Sequence, residues 1–233
     1  MECWSRCLIA ILLTAIGFSA RPAHAQQSAD PQGASGTSNN RLFGAIPDFL
    51  TVDNADRLPP LTPRQKLDVT TRSNFDIGQI LYGLGLASAS QIEHADPTFG
   101  TGGSGFGKRF ALEFSDISVE NYLTTAIFPI AFHQDPRYFR LGRGAGWHRF
   151  AYAVSRIVVT RSDAGTAQFN VSELGGAAAA AGIYNLYHPA DDRSVANAFE
   201  SFGMQVGFDT GFIVIREFWP DMRRKLGGML HPQ

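Results

Sequence analysis

Six side chains carry the ligand types a hydrolytic zinc or iron centre would need: His133, Asp135, His148, His188, Asp191 and Asp192. Neutral imidazole and carboxylate suit such metals. Their spacing matches no metalloprotease signature, because no His-Glu-x-x-His occurs. Each histidine falls beside an expected helix end, where an imidazolium complements the dipole. The sequence therefore favours structural roles for His133, His148 and His188 over a metal-dependent hydrolase, and it implies no cofactor. A serine nucleophile elbow is missing too, since Gly102-Gly103-Ser104-Gly105 has the wrong spacing.

A different chemistry is offered by arginine. Between His133 and Arg161 stand six arginines and one acid, Asp135. Arg137, Arg140, Arg143, Arg149 and Arg156 could hold a phosphate or carboxylate bidentately. The structural alternative pairs them with Glu113, Asp116, Glu120 and Glu173. The near-neutral balance of the chain favours that pairing, and it argues against nucleic acid as a partner.

The glycine-rich loop Phe99–Gly107 invites a nucleotide reading. Gly100, Gly102 and Gly105 have G-x-G-x-x-G spacing, and Gly102–Lys108 follows a P-loop up to Arg109, where a magnesium-binding Ser or Thr would stand. Both motifs need a buried strand ahead of the loop. The preceding residues, SASQIEHADPT, do not form one, so a flexible inter-helix loop is expected.

The elements that must position these residues read as helices. Thr62-Pro63-Arg64-Gln65 is a capping box with proline at the first helical position. A second helix is expected over Ile77–Ile92 and a third from about Lys108 to Pro129. In the third, Arg109, Glu113, Asp116 and Glu120 form a charged stripe read as a solvated face. A fourth is expected over Trp147–Thr160, a fifth from Asn170 or Ser172 to His188, and a long last helix capped by 191–194 and interrupted at Pro220. Arg41–Pro60 is expected to lie extended in surface grooves.

Two stretches suggest how the helices pack. Gly203, Gly207 and Gly211 recur every four residues and would cut a groove along the last helix; Gly175–Gly182, GGAAAAAG, is thin enough to lie in it. Contact between the stripe and Gly175 or Ala179 is therefore expected. Asp209 lies off the stripe on the same face as Arg216, which would serve as its partner.

Arg6, the apolar run Leu8–Phe18 and Ala23-His24-Ala25 read as a signal peptide over residues 1–25. The mature chain would keep 208 residues, 18 basic and 20 acidic once Glu2, Arg6 and Arg21 are removed, and neither Cys3 nor Cys7. Residues 26–40 lack the apolar groups to offset ordering and read as a disordered tether. Residues 41–233 form one domain. The expected fold is all-α, a single bundle of five or six helices packed closely through Gly and Ala.

Several blocks, NNRLFG (39–44), HQDPRYFR (133–140), YAVSRIVVTRSD (152–163), HPADDR (188–193) and EFWPDMRRKL (217–226), resemble a family of exported bacterial proteins of unknown function. The resemblance implies a secreted single-domain protein and no particular activity. The functional expectation is an exported, non-catalytic structural or binding protein of the periplasm or outer envelope. Its rivals are the metal-dependent hydrolase and an outer-membrane-associated assembly through the glycine-rich helices, with envelope, membrane or a second copy of the chain as partner.

Overall fold

Local signals start most of the helices. In the computed structural model, which describes residues 41–42, 46–53, 58–94, 97–189 and 193–230, Thr62 accepts from the Gln65 amide at 3.3 Å while Gln65 Oε1 accepts from the Thr62 amide at 2.8 Å. This capping box opens α1 (Pro63–Asn74). Asp76 caps α2 (Ile77–Ile92) through the Gly78 amide at 2.8 Å. Asn170 caps α6 (Val171–Tyr187) through the Glu173 amide at 3.1 Å. Ser194 accepts from Asn197 N at 3.0 Å at the head of α7 (Val195–Leu230), which runs on through Pro220. The expected signal peptide and tether lie outside the described residues, as do Asp191 and Asp192 of the predicted last cap.

The glycine loop is not a loop. Helix α3 (Gly102–Asn121) begins inside it, and a short 3-10 turn, Pro97–Phe99, not a strand, leads into it. Gly100 and Gly102 have φ of +74° and +81°, a region glycine enters freely. A Cβ on Gly105 would stand 2.5 Å from the Gly100 carbonyl oxygen. The glycines thus serve a tight entry turn, which Arg109 closes by donating to that carbonyl at 2.9 Å.

Beyond α3 the coil widens into a π turn, Tyr122–Ile127, and then tightens into the short α4 (Phe128–Ala131). Pro129 explains the change, since it has no N–H to offer the Thr125 carbonyl and its ring would crowd it.

The molecule is mostly helical, but not all-α. Three small sheets join the bundle: a hairpin of β1 (Arg41–Leu42) with β2 (Ile46–Pro47), a parallel pair of β3 (Thr51–Val52) with β5 (Tyr138–Phe139), and an antiparallel set β4–β6–β7 (Gln134–Asp135, Val159–Ser162, Ala167–Phe169). The expected helix Trp147–Thr160 is α5 (Gly146–Ser155) followed by strand β6, where Val158, Val159 and Thr160 bring β-branched side chains. Nor does the segment before Pro60 ride in surface grooves. Leu50 and Val52 are buried, and Leu50 packs with Leu61 and Val69.

Alanine fills the close contacts: Ala87, Ala126, Ala153, Ala177 and Ala180 are fully enclosed. The largest fully buried side chains are polar, namely Lys66, Gln134 and Glu217. Lys66 Nζ donates to the carbonyls of Pro129 (3.1 Å) and Gln134 (2.8 Å) and to Asp163 (2.8 Å). The buried Lys66 charge is therefore compensated where it sits.

The expected pairing of the glycine stripe with the alanine helix does not occur. Gly203, Gly207 and Gly211 face outward, and a Cβ on any of them would meet nothing within 4 Å. The close approach is at α6 against the π turn, where a Cβ on Gly176 would stand 3.1 Å from Thr124 backbone and one on Gly175 2.9 Å from the Phe128 ring. Ala179 is half-buried. Helix α7 turns a larger-residue face to the bundle, because only there can Phe212 reach Tyr82, rings 6.1 Å apart.

Candidate cavity and its carboxylate triad

Helices α2, α3, α6 and α7 flank a half-open cavity of about 960 Å³. On α3 the positions turned toward it are Leu112, Glu113, Asp116, Ile117 and Glu120, at the three- and four-residue spacing of one helical face. The acidic stripe read as solvated therefore lines the interior. Across from it, α6 brings Glu173, Tyr184 and His188, and α7 brings Gln205, Asp209 and Arg216.

Three carboxyls meet here. Asp209 is hydrogen-bonded to both Glu120 and Glu173. Burial pushes the Glu120 carboxyl up to about 9, reinforced by the Asp209 charge and bond, and holds Glu173 well above its ordinary value for the same reasons. Burial also raises Asp209, but its bonds to the two glutamates and the charge of Arg216 oppose that shift. All three carboxyls are raised, and the Asp209 charge is among the causes that lift both glutamates, so protons are held within the triad. This is what three carboxyls in a poorly hydrated space must do, since like charges so close cannot all ionise. Arg216 lies 3.5 Å from Asp48, so it divides its charge between Asp48 and the triad rather than serving Asp209 alone.

Beside the triad, Asp116 is tied down. His188 Nε2 lies 3.0 Å from both of its carboxylate oxygens, Tyr187 donates to it at 2.5 Å, and Tyr184 donates to its backbone carbonyl at 2.9 Å. Gln205 donates to the Tyr184 hydroxyl at 2.5 Å, while its own Oε1 is buried with no hydrogen-bond partner among the described residues.

The residues expected to bind metal do not form a centre. Asp135 holds Arg137 through both oxygens, at 2.9 and 2.6 Å, and His188 is bound to Asp116. Exposed His133 has a φ of +53° in the turn before β4, and exposed His148 lies in the first turn of α5. Among the described residues no three His, Cys, Asp or Glu side chains are placed to hold a metal ion.

Arg137, Arg140 and Arg149 have internal acidic partners, but not the expected ones. Arg140 pairs with Asp53 at 2.6 Å and Asp48 at 3.6 Å. Arg149 donates to the Glu217 carboxylate at 2.8 Å, its backbone carbonyl at 2.6 Å and Asp221 at 2.6 Å. Tyr138, Leu141 and Gly142 also donate to Glu217. These bonds outweigh burial and hold its carboxyl below its ordinary value. Arg156 lies 4.6 Å over the Tyr152 ring and bonds Ser155, and Arg143 is exposed. Of the five, Arg137 and Arg156 reach the cavity lining, together with Tyr138 and Phe139 of β5 and Tyr152 of α5.

The triad itself was hidden in the sequence. Glu120, Glu173 and Asp209 are far apart along the chain, and the only local signal was Asp209 interrupting an apolar run.

Compared with known protein families, with curated proteins and with solved structures, the chain matches none. Among the described residues no helix is long and apolar enough to cross a membrane.

Proposed function

We propose that this chain is an exported, non-catalytic binding protein of the bacterial envelope, and that the cavity between α2, α3, α6 and α7 takes its ligand. The observation that carries this reading is the cavity itself. At about 960 Å³ it falls in the range of small-molecule sites, and apolar walls from Leu86, Phe208, Phe212 and Ile213 stand beside a comparably large polar and charged lining. Export rests on the signal-peptide pattern of residues 1–25 and on the resemblance.

Thermal denaturation against a library of small amines, polyols, carboxylates and phosphates tests it. At least one compound is expected to raise Tm saturably in the wild type, because a ligand that binds the native state preferentially stabilises it. The gain should vanish in Ser201→Trp, whose indole would occupy the cavity that Ser201 lines. A compound that protects both forms alike would place its site elsewhere and sink this reading.

An assembly reading has one observation in its favour. Gly203, Gly207 and Gly211 present an open stripe that no part of the described chain uses, and such a stripe permits close backbone approach of a second helix. Sedimentation at rising concentration tests it: an oligomer that Gly207→Leu dissociates would support assembly, and a monomer at all concentrations would remove it.

A further inference from the structure

We propose that the cavity binds an organic cation carrying a primary ammonium group, which sits on the carboxyls of Glu120, Asp209 and Glu173. The inference rests on the cavity reading above and names its ligand class.

Charge balance is the first argument. The groups facing the triad are Tyr82 from α2, Glu113 and Asp116 from α3, Tyr184 and His188 from α6 and Arg216 from α7. His188 is spent on Asp116, and Arg216 is shared with Asp48. The acids outnumber the cations, so protons or a bound cation must make up the difference.

The second argument does not depend on the charge balance. Gln205 Oε1 is a buried acceptor without a partner, and it stands one turn from Asp209 on the same face of α7, about 6 Å along the axis. The Oε1 atoms of Glu120 and Glu173 are likewise buried and find no donor beyond a carboxyl proton. Acceptors gathered on three helices call for a donor-only group, and an ammonium supplies three donors and no acceptor. The rings of Tyr82, Phe208 and Phe212 also line the cavity and suit a cation with an apolar tail. A bare metal ion fits less well, because the space far exceeds one ion.

Binding exchanges a proton for the ligand. One protonated glutamate gives up its proton to solvent as the ammonium takes its place, so the charge of the site is conserved. Burial and the Asp209 charge hold Glu120 at about 9. Affinity should therefore rise with pH, by up to tenfold per unit, as far as about pH 9 and fall again once the amine loses its own proton near about 10.4.

Calorimetric titration with hexylamine, phenethylamine and putrescine, with 1-hexanol and hexanoate as neutral and anionic controls, tests the proposal. At least one amine is expected to bind saturably with proton release, read from the heats in two buffers of different ionisation enthalpy. Glu173→Gln and Glu120→Gln should each weaken it about 10- to 100-fold, the loss of one charge-assisted bond, without lowering Tm. Proton release by the wild type remains a test if one variant does not fold.

The proposal falls if no amine binds at about 1 mM near pH 9, if hexanol binds as well as hexylamine, or if both glutamine variants keep the wild-type affinity. Hexanol or hexanoate binding that Ser201→Trp abolishes would leave the cavity reading standing and remove only the ammonium. Amine binding that needs Glu173 but survives Ser201→Trp would do the reverse.

Discussion

Glu217 shows how a single residue is held when it is cut off from water. It is fully enclosed, and its carboxylate accepts from Arg149, Tyr138 and the amides of Leu141 and Gly142. Breaking one partner of such a pair strands the other, at about 3 to 5 kcal/mol. Arg149→Ala is therefore expected to lower Tm steeply. Arg156 pairs with no acid among the described residues and lies half-buried on Tyr152, so Arg156→Ala should cost about 1 kcal/mol or less, the loss of a cation–π contact near the surface. Paired thermal melts decide it; equal losses in the two variants would show that the Glu217 clasp is not the source. That these arginines have structural partners was legible from the near-neutral balance of the chain. Which acids they meet was not, because Glu217 and Asp221 lie about 70 residues away.

At the scale of elements, the two glycine-rich stretches exchange their expected roles. Gly176 sits where α6 meets the backbone of Thr124 in the π turn, and a side chain there has nowhere to go. Gly207 faces open space. Gly176→Leu should thus destabilise by about 1 to 3 kcal/mol or more through overpacking, whereas Gly207→Leu should leave Tm unchanged or slightly raised, since leucine is the better helix former by several tenths of a kcal/mol. Chemical denaturation of both variants checks this; a large loss at Gly207 would mean that the outward face is covered. The spacing of glycine says where a backbone could approach, but not which of two candidate faces a neighbour takes. Phe208 and Phe212 answer that, because a face with large apolar groups gains more by turning inward.

The triad leaves its mark on the whole molecule as a dependence of stability on pH. Glu120 and Glu173 hold their protons more tightly folded than unfolded. Between the ordinary glutamate value of 4.5 and about 9 the native state carries more protons, so stability falls as pH rises through that window. The slope is at most about 1.4 kcal/mol per pH unit for each group. Glu217 and Asp221 act oppositely, since their carboxyls are held below the ordinary range and the stability they add is lost as acid protonates them. The unliganded protein should be most stable at mildly acidic pH. Glu120→Gln should flatten the decline toward pH 9 and raise Tm there. A Tm that stays level from about pH 5 to pH 9 would contradict the shared-proton triad.

The sequence by itself determined what depends on neighbours in the chain. The Thr62–Gln65 capping box, the caps at Asp76 and Asn170 and the mostly helical content all follow from residues within one turn of each other, where propensity and capping act. Strand β6 escaped because Val159 and Thr160 sit at the end of a helical pattern, and only pairing with β4 and β7 draws them into a sheet. The cavity and its triad were decided by tertiary structure alone. In the sequence Glu120 and Glu173 read as partners for the arginines and Asp209 as a partner for Arg216, on three separate helices; a carboxyl acquires an unusual proton affinity only when other elements remove its water and bring a second charge beside it.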